Sequence, residues 1–110
     1  MAQETLGLVQ GTVDVLILRT LTRASMHGYA ISQWIRERSG GALAVEDAAL
    51  YQALHRLERK GWVDAEWGVS DTNRRVKLYE ITPVGRRQLR NDVAELRRYM
   101  AALFAVLEPA

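Results

Sequence analysis

The fold of this 110-residue chain is decided by residues 50–61, which read LYQALHRLERKG. Apolar side chains recur here every three or four positions, which is the spacing of a helix with one buried face. Gly61 follows the last periodic residue and suits the left-handed conformation that ends many helices. The pattern therefore predicts an amphipathic helix over 47–60. Its outer face would carry Gln52, His55, Arg56 and Arg59.

Two more helices are predicted upstream. Apolar residues at helical spacing indicate one helix over 8–21 and another over 28–38, the second ended by the glycines at 40 and 41. Trp34 falls on the inner face of the second helix and is expected in the core. Asp47 is expected to cap the third helix, because its carboxylate can accept hydrogen bonds from the first backbone amides.

A β-hairpin is predicted after the third helix. Residues 62–67 and 76–81 are rich in side chains that favour strands, and a polar loop over 68–75 separates them. The tip of this hairpin is basic. The side chains near it that are suited to contact a partner are Asn73, Arg74, Arg75 and Lys77.

The chain closes with a long predicted helix. It begins at Thr82-Pro83, a good cap followed by proline at the first helical position. Its apolar residues alternate spacings of four and three over about three heptads, as in a coiled-coil seam. We predict that this seam joins two copies of the chain; the alternative is a helix that packs only on its own domain. The seam consists of Leu89, Val93, Leu96, Met100, Leu103 and Leu107.

The composition excludes several classes of protein. The chain has no cysteine, so it can form neither a disulfide nor a thiolate metal site. No apolar run reaches the roughly 18–20 residues of a membrane-spanning helix. Met1–Thr5 carries an acid and lacks the basic start of a signal peptide, so the protein is expected in the cytoplasm. The net charge of +2 is compatible with a polyanionic partner without requiring one.

Nothing in the sequence indicates an enzyme. It contains no nucleophile elbow, no glycine-rich phosphate loop and no metal-ligand spacing. The two histidines, His27 and His55, have neither a cysteine nor a carboxylate pair near them. We therefore expect no catalytic site, no metal site and no cofactor.

The order of three helices, a hairpin and a long helix is that of a winged helix-turn-helix, a mainly α (α+β) fold. We expect residues 1–82 to form a winged-helix DNA-binding domain and 83–110 a dimerisation helix, in one compact unit. An α-helix fits the major groove of B-DNA, where arginine can pair with guanine and glutamine with adenine. A charged outer face is also normal for a surface helix, and it is the joint order of elements that favours DNA binding.

The sequence resembles the PadR family of transcription regulators over about residues 11–90. The resemblance rests on three motifs in order, MHGYAI (26–31), LYQALHRLERKG (50–61) and YEITPVG (79–85). It implies the short branch of the family, in which a single C-terminal helix makes most of the dimer contact. It also implies repression by operator binding, which a small molecule often relieves. The implied DNA contacts fall on Tyr51, Gln52, His55 and Arg56 and, in the hairpin, on Arg74, Arg75 and Lys77.

The sequence therefore predicts a sequence-specific DNA-binding repressor that acts as a homodimer on duplex DNA, at an inverted-repeat operator. A small aromatic or hydrophobic effector would bind between the subunits, although core or dimer packing explains the same side chains more simply. The alternative is a protein-interaction module that dimerises without DNA; Glu46 and Asp47 favour it, because they would repel phosphate. The aromatic residues considered for the effector are Trp62, Trp67, Tyr99 and Phe104.

Overall fold

The apolar period changes along the chain from a helical to a strand spacing and back, and the secondary structure follows it. The computed structural model describes residues 5–9 and 11–109. Residues 1–4, 10 and 110 lie outside the described residues. Most of the segment Met1–Thr5 therefore lies outside them, as do the first residues of the predicted domain 1–82 and the last residue of the predicted helix 83–110. In chain order the elements are α1 (Thr12–Leu21), β1 (Met26–His27), α2 (Gly28–Arg38), α3 (Asp47–Arg59), β2 (Val63–Val69), β3 (Arg75–Ile81) and α4 (Pro83–Leu107).

The first three helices bury their apolar faces against one another. The four inner residues of α3 are fully buried: Leu50, Ala53, Leu54 and Leu57. Side chains from the other elements complete one core, in which each large apolar side chain contributes roughly 1.5–3 kcal/mol. They are Ile17, Leu18, Leu21, Ile31, Ile35, Val45, Val63, Tyr79, Ile81 and Leu89. Trp34, expected in the core, is only half-buried and packs against the edge of the core, and the Arg23 guanidinium lies 5.4 Å from the centroid of its ring.

The sheet has three antiparallel strands in the order β1-β3-β2, so β3 lies in the centre. β2 and β3 form the predicted hairpin, in register from Val63 opposite Ile81 to Val69 opposite Arg75. Both strands are longer than predicted, because the ladder of hydrogen bonds continues past the core as a ribbon. The sequence does not predict β1, since two residues (Met26–His27) carry no period of their own.

Thr82 fixes the junction between the hairpin and α4. Its hydroxyl accepts a hydrogen bond from the Gly85 N–H at 3.0 Å, as a helix cap does, and donates to the Gly61 carbonyl at 2.7 Å. Its backbone N–H donates to the Trp62 carbonyl at 3.0 Å. Pro83 is the first helical residue, which confirms the predicted start of this helix. α4 therefore begins bonded to the turn between α3 and β2.

Gly85 lies where α4 crosses that turn, and the approach is too close for a side chain. A Cβ atom at this position would lie 2.1 Å from the Trp62 carbonyl oxygen, far inside van der Waals contact. The glycine is buried in the first turns of α4. The motif YEITPVG thus ends on the residue that lets α4 pack against the domain.

The start of α1 differs from the prediction. The helix begins at Thr12 rather than near residue 8, because Gly11 has a left-handed conformation (φ 88°) that interrupts any helix reaching back from it. The described segment before it, residues 5–9, is not helical. Instead the Leu6 N–H donates to the Ala42 carbonyl at 2.8 Å, which lays the segment along the connection between α2 and α3.

The predicted cap of α3 is wrong by one residue. Glu46 has the extended backbone of a capping residue (φ −67°, ψ 149°) but makes no capping hydrogen bond through its side chain, and Asp47 is the first helical residue. Both carboxylates still lie at the positive end of the helix dipole, where negative charge is favourable. The predicted helix is otherwise confirmed, ending at Arg59 instead of Lys60.

α4 belongs to the core only at its start. Gly85 and Leu89 are its buried residues, and Val93 packs partly against the core. The rest of the helix, which we call the arm (residues 94–107), extends beyond the domain and lengthens the molecule to 57 Å. None of the helices in the described ranges carries an apolar stretch long enough to cross a membrane.

Candidate nucleic-acid interface

The outer face of α3 presents three exposed polar side chains, Gln52, His55 and Arg59. Residues three and four positions apart share one face of a helix, so the three form a single row. The buried leucines on the opposite side fix the direction in which this row points. Glutamine and arginine can each make paired hydrogen bonds to a base edge. The row is therefore suited to reading the major groove.

Arg56 lies beside this row rather than in it. Its Nη2 atom lies 2.7 Å from the Asp14 Oδ1 atom of α1, in an ion pair whose side chains are 43% and 19% exposed. Position 56 is on the flank of α3 that faces α1. A residue predicted to contact DNA, Arg56, is thus paired with a carboxylate of α1.

The other flank of α3 contacts the hairpin, which we call the wing (residues 63–81). Lys77 Nζ of β3 lies 3.3 Å from the Glu58 Oε1 atom of α3 and 5.9 Å from the centroid of the Tyr79 ring. Lys77 was assigned to DNA by its place near the basic tip. In the structure its ammonium group joins the wing to α3.

Backbone hydrogen bonds hold the tip of the wing. The Ser70 N–H donates to the Arg74 carbonyl at 2.8 Å, and the Asn73 N–H donates to the Ser70 carbonyl at 2.9 Å. Asn73 has a left-handed conformation (φ 61°), which asparagine tolerates better than most residues. Asn73 therefore shapes the turn, while the side chains of Arg74 and Arg75 are exposed beside it.

Arg75 stacks on an aromatic ring of the neighbouring strand. Its guanidinium carbon lies 4.4 Å from the centroid of the Trp67 ring, and Trp67 is 60% exposed. Trp67 pairs directly with Lys77 in the ladder, so Arg75 reaches it diagonally. A cation over a ring face is attracted to it and loses freedom of movement. The wing thus presents at least one arginine in a defined orientation.

A groove of about 880 Å³ separates the wing from the starts of α2 and α3. The wing contributes cations together with Trp67 and Tyr79, and the starts of α2 and α3 contribute Tyr29 and Tyr51. Burial raises the pKa of the Tyr79 hydroxyl above its ordinary value. The side chains along the groove include Tyr29, Tyr51, Trp67, Arg74, Arg75, Lys77 and Tyr79.

Tyr51 packs on the start of α2 at this groove. A Cβ atom on Gly28 would lie 2.6 Å from the Tyr51 hydroxyl oxygen, so the glycine makes room for the tyrosine. His27 caps α2 by accepting the Ala30 N–H at 3.4 Å, and its ring stacks against Tyr29. The motifs MHGYAI and LYQALHRLERKG therefore meet in one place, where Tyr51 is half exposed.

The sequence profile of the “Transcriptional regulator PadR-like family” matches residues 17–91. The chain belongs to the PadR-like family of transcriptional regulators. The match confirms the resemblance carried by the three motifs and, with it, the prediction of a transcriptional regulator rather than an enzyme. A Lysinibacillus sphaericus protein, “Uncharacterized protein X”, is 37% identical over 89 residues, which cover 80% of this chain and 81% of that protein.

Solved structures of transcriptional regulators share the fold of this PadR-like protein. A regulator from Clostridium thermocellum, Cth-833, is 30% identical with a TM-score of 0.79, over 86% of this chain and 91% of that chain. Bacillus subtilis PadR, solved in complex with operator DNA, is 22% identical with a TM-score of 0.66, over 74% of this chain and 47% of that chain. These likenesses confirm the predicted mainly α (α+β) winged helix-turn-helix.

The predicted seam of α4 lies in two environments in this PadR-like regulator. Leu89 is 5% exposed in the core of its own domain, and Val93 is half-buried against that core. Leu96, at the point where the arm leaves the domain, is 37% exposed. The seam residues on the arm are Leu96, Met100, Leu103 and Leu107. The apolar surface that one chain leaves uncovered therefore begins after Val93.

The four aromatic residues considered for an effector lie apart from one another. Trp62 is half-buried at the turn between α3 and β2, with Lys60 Nζ 4.5 Å from the centroid of its ring. Trp67 lines the groove beside the wing. Tyr99 and Phe104 are on the arm, 63% and 47% exposed. The four side chains thus belong to three separate parts of the described chain, which are the turn before β2, the wing and the arm.

Sequence reasoning missed the two carboxylates that pair with predicted DNA-contact residues. Asp14 and Arg56 are 42 positions apart, and Glu58 and Lys77 are 19 apart. No local pattern connects residues so far apart, because only the packing of α1 and the wing against α3 brings them together. The sequence-based prediction of the interface also omits Tyr29, which lines the groove. Its position within the motif MHGYAI, at the start of α2, could have indicated it.

Proposed function

We propose that this regulator is a homodimer that binds an inverted-repeat operator, with one α3 in each of two major grooves. The observation that carries the proposal is the exposed row of Gln52, His55 and Arg59 beside a wing that bears Arg74 and Arg75. Such a row suits base edges, and wing cations suit phosphates or the minor groove. Bacillus subtilis PadR, which shares the fold, was solved in complex with operator DNA, and this supports operator DNA as the proposed partner.

A second copy of the chain is proposed to cover the arm of α4. The arm carries apolar side chains at heptad spacing that are exposed in one chain, among them Leu96 and Met100. A contiguous exposed apolar surface usually marks an interface. A two-fold dimer built on the arm would place the two α3 helices about 34 Å apart, or a multiple of that, which is the spacing of successive turns of DNA.

Binding to unselected duplex DNA at increasing salt concentration tests the DNA-binding part of the proposal. Each phosphate that the protein neutralises contributes about −0.9 to the slope of log Kobs against log salt. With six or more such contacts, affinity should fall by about 10³-fold or more between 50 and 200 mM salt. A protein-interaction module without a DNA function would instead show almost no binding at the lowest salt concentration.

We also propose that the dimer acts in the cytoplasm and represses transcription until a small aromatic or hydrophobic effector releases it. Exposed Tyr99 and Phe104 on the arm support an effector site between the subunits. A screen of small planar aromatic compounds should identify some that release the protein from its operator, and Phe104→Ala should reduce that release. A screen in which no compound changes operator binding would contradict the effector part alone.

Arg59→Ala should weaken binding to the operator, taken as the duplex that the protein selects from a random pool. The expected loss is about 1–3 kcal/mol, with relaxed specificity at one base pair, if Arg59 pairs with a base. Because Arg59 is exposed, thermal unfolding should not change. Competition titrations with the operator and its single-base variants measure both effects. Arg98→Ala on the arm removes the same charge and should have little effect; equal losses would mean that Arg59 acts only through overall charge.

Trp67→Leu should weaken operator binding by about 0.5–1 kcal/mol, because it removes the ring under the Arg75 guanidinium. Trp67→Tyr keeps an aromatic face and should retain most of the affinity. Neither variant should lower the melting temperature much, since Trp67 is mostly exposed. Fluorescence anisotropy of a labelled operator measures the affinities. Equal affinities for the leucine and tyrosine variants would show that the ring does not organise Arg75.

A further inference from the structure

Two ion pairs hold α3, one on each flank. Arg56 pairs with Asp14 of α1 at 2.7 Å, and Glu58 pairs with Lys77 of the wing at 3.3 Å. Residues two positions apart on an α-helix point about 200° away from each other, so positions 56 and 58 lie on opposite sides of α3. The exposed row of Gln52, His55 and Arg59 lies between these two sides.

We propose that Arg56 and Lys77 are positioning residues, and that the two ion pairs set the rotation of α3 about its own axis. They would thereby determine which side chains of α3 face the bases, without touching DNA themselves. The inference rests on the proposed function, in which α3 enters the major groove. Arg56 and Lys77, which the sequence predicts to contact DNA, would then act by positioning α3 instead.

The buried leucines fix which face of α3 is exposed, and the two ion pairs add a directional restraint that limits small rotations about that position. Apolar burial depends on the area removed from water and tolerates small rotations. A hydrogen-bonded ion pair depends on distance and angle, so a pair on each flank resists rotation in both directions. A rotation that moves a side chain by more than a few tenths of an ångström degrades its hydrogen bonds to a base edge.

Asp14 is well placed to anchor one side. It lies in the first turn of α1, where the helix dipole favours its negative charge. The same helix is fixed in the core by Ile17 and Leu18, both fully buried. The Asp14 side chain is only 19% exposed, so its carboxylate depends on the Arg56 guanidinium to replace lost water contacts. Arg56 is therefore held by a fixed partner.

The second pair makes the wing and α3 move as one unit. Lys77 lies opposite Trp67 in the β2–β3 ladder, and Trp67 carries the Arg75 guanidinium. The contact of Lys77 with Glu58 therefore relates the position of a wing arginine to the orientation of α3. Both partners are about one-third exposed, so this pair can be removed without opening the core.

Removal of the carboxylates tests the proposal, because the two assignments predict opposite signs. If Arg56 and Lys77 contact phosphate, Asp14→Asn and Glu58→Gln free a cation and operator binding tightens. If they position α3, each variant should bind the operator about fivefold more weakly, the equivalent of one partly exposed ion pair. Binding to unselected duplex should not weaken, since only the alignment with base edges is lost.

Two further measurements complete the experiment. The double variant Asp14→Asn/Arg56→Gln should bind no more weakly than Arg56→Gln alone, since both remove the same restraint. Arg56→Gln should also leave the salt slope unchanged, whereas a lost phosphate contact lowers it by about one. Asp71→Asn at the exposed wing tip removes the same charge as Asp14→Asn and should bind the operator at least as tightly as the wild type.

Tighter or unchanged operator binding by both Asp14→Asn and Glu58→Gln would overturn the proposal, as would a salt slope that falls by about one in Arg56→Gln. Thermal unfolding of each variant shows that the protein remains folded, and Glu58→Gln serves if Asp14→Asn does not fold. Failure of the proposed function is a separate result, in which the wild-type protein itself selects no duplex.

Discussion

Leu96→Glu is expected to convert the protein from a dimer to a monomer and to remove most of its affinity for the operator. Leu96 lies where the apolar seam leaves the domain, 37% exposed in one chain. In the proposed dimer it is covered by the partner, so each chain would bury a carboxylate among apolar side chains. Burying such charges costs several kcal/mol, which is more than a small helical interface can offset.

Operator affinity should fall because the two half-sites would then be bound independently. Linking two binding modules raises apparent affinity by about 10²–10⁴-fold without any new contact, and the monomer loses this gain. Sedimentation equilibrium measures the change in mass, and titration of the operator measures the change in affinity. Both losses should appear together in the same protein.

Ala94→Glu is the matched control for this variant. It adds the same charge to the same helix two positions earlier, at an exposed residue on the far side from the seam. It should remain a dimer and bind the operator normally. A Leu96→Glu protein that still sediments as a dimer would show that the dimer interface lies elsewhere and not on the arm.

Gly85→Ala is expected to lower the free energy of unfolding by about 3 kcal/mol, at the upper end of the cost of overpacking a core. The added Cβ would lie 2.1 Å from the Trp62 carbonyl oxygen, and a backbone atom cannot rotate away as a side chain can. α4 would have to shift, which would break the 3.0 Å hydrogen bond from Thr82 N–H to the same carbonyl.

The loss should appear as a large fall in melting temperature. A domain of this size loses about 4–8 °C for each kcal/mol, so the expected fall is about 12–24 °C. The comparison must use equal protein concentrations, because dimerisation adds to apparent stability. Gly7→Ala is the control, since a Cβ at Gly7 meets nothing within 4 Å. A Gly85→Ala protein as stable as the control would show that α4 does not dock on the turn before β2.

The helices were predictable because each carries its own period and its own ends. α2 spans the predicted residues Gly28–Arg38, and Thr82-Pro83 starts α4 as expected. The start of α1 was not predictable from its apolar pattern. That pattern continues back to residue 8, whereas the helix begins only at Thr12, because the residue before it, Gly11, has a left-handed backbone. The apolar period of a helix predicts which of its faces is buried. It does not predict the residue at which the helix begins, which here depends on the backbone of Gly11.

The sequence predicts only the part of the candidate DNA interface that lies on the outer face of α3. Gln52, His55 and Arg59 are exposed on α3 because the leucines opposite them are buried. Arg56 looks equivalent on that face until α1 is packed against it, when Asp14 comes within 2.7 Å. Pairing across 42 residues depends on tertiary structure, which no pattern within α3 encodes. The DNA contacts of all these residues remain predictions.

Selection of bound duplexes from a random pool tests the central claim most directly, because it measures DNA binding and dimer geometry together. The account predicts that the selected duplexes contain an inverted repeat whose half-sites are centred about 10 base pairs apart, or a multiple of that. Each such duplex should carry two copies of the chain. A pool that shows no enrichment, from a protein that remains a single chain in solution, would contradict it.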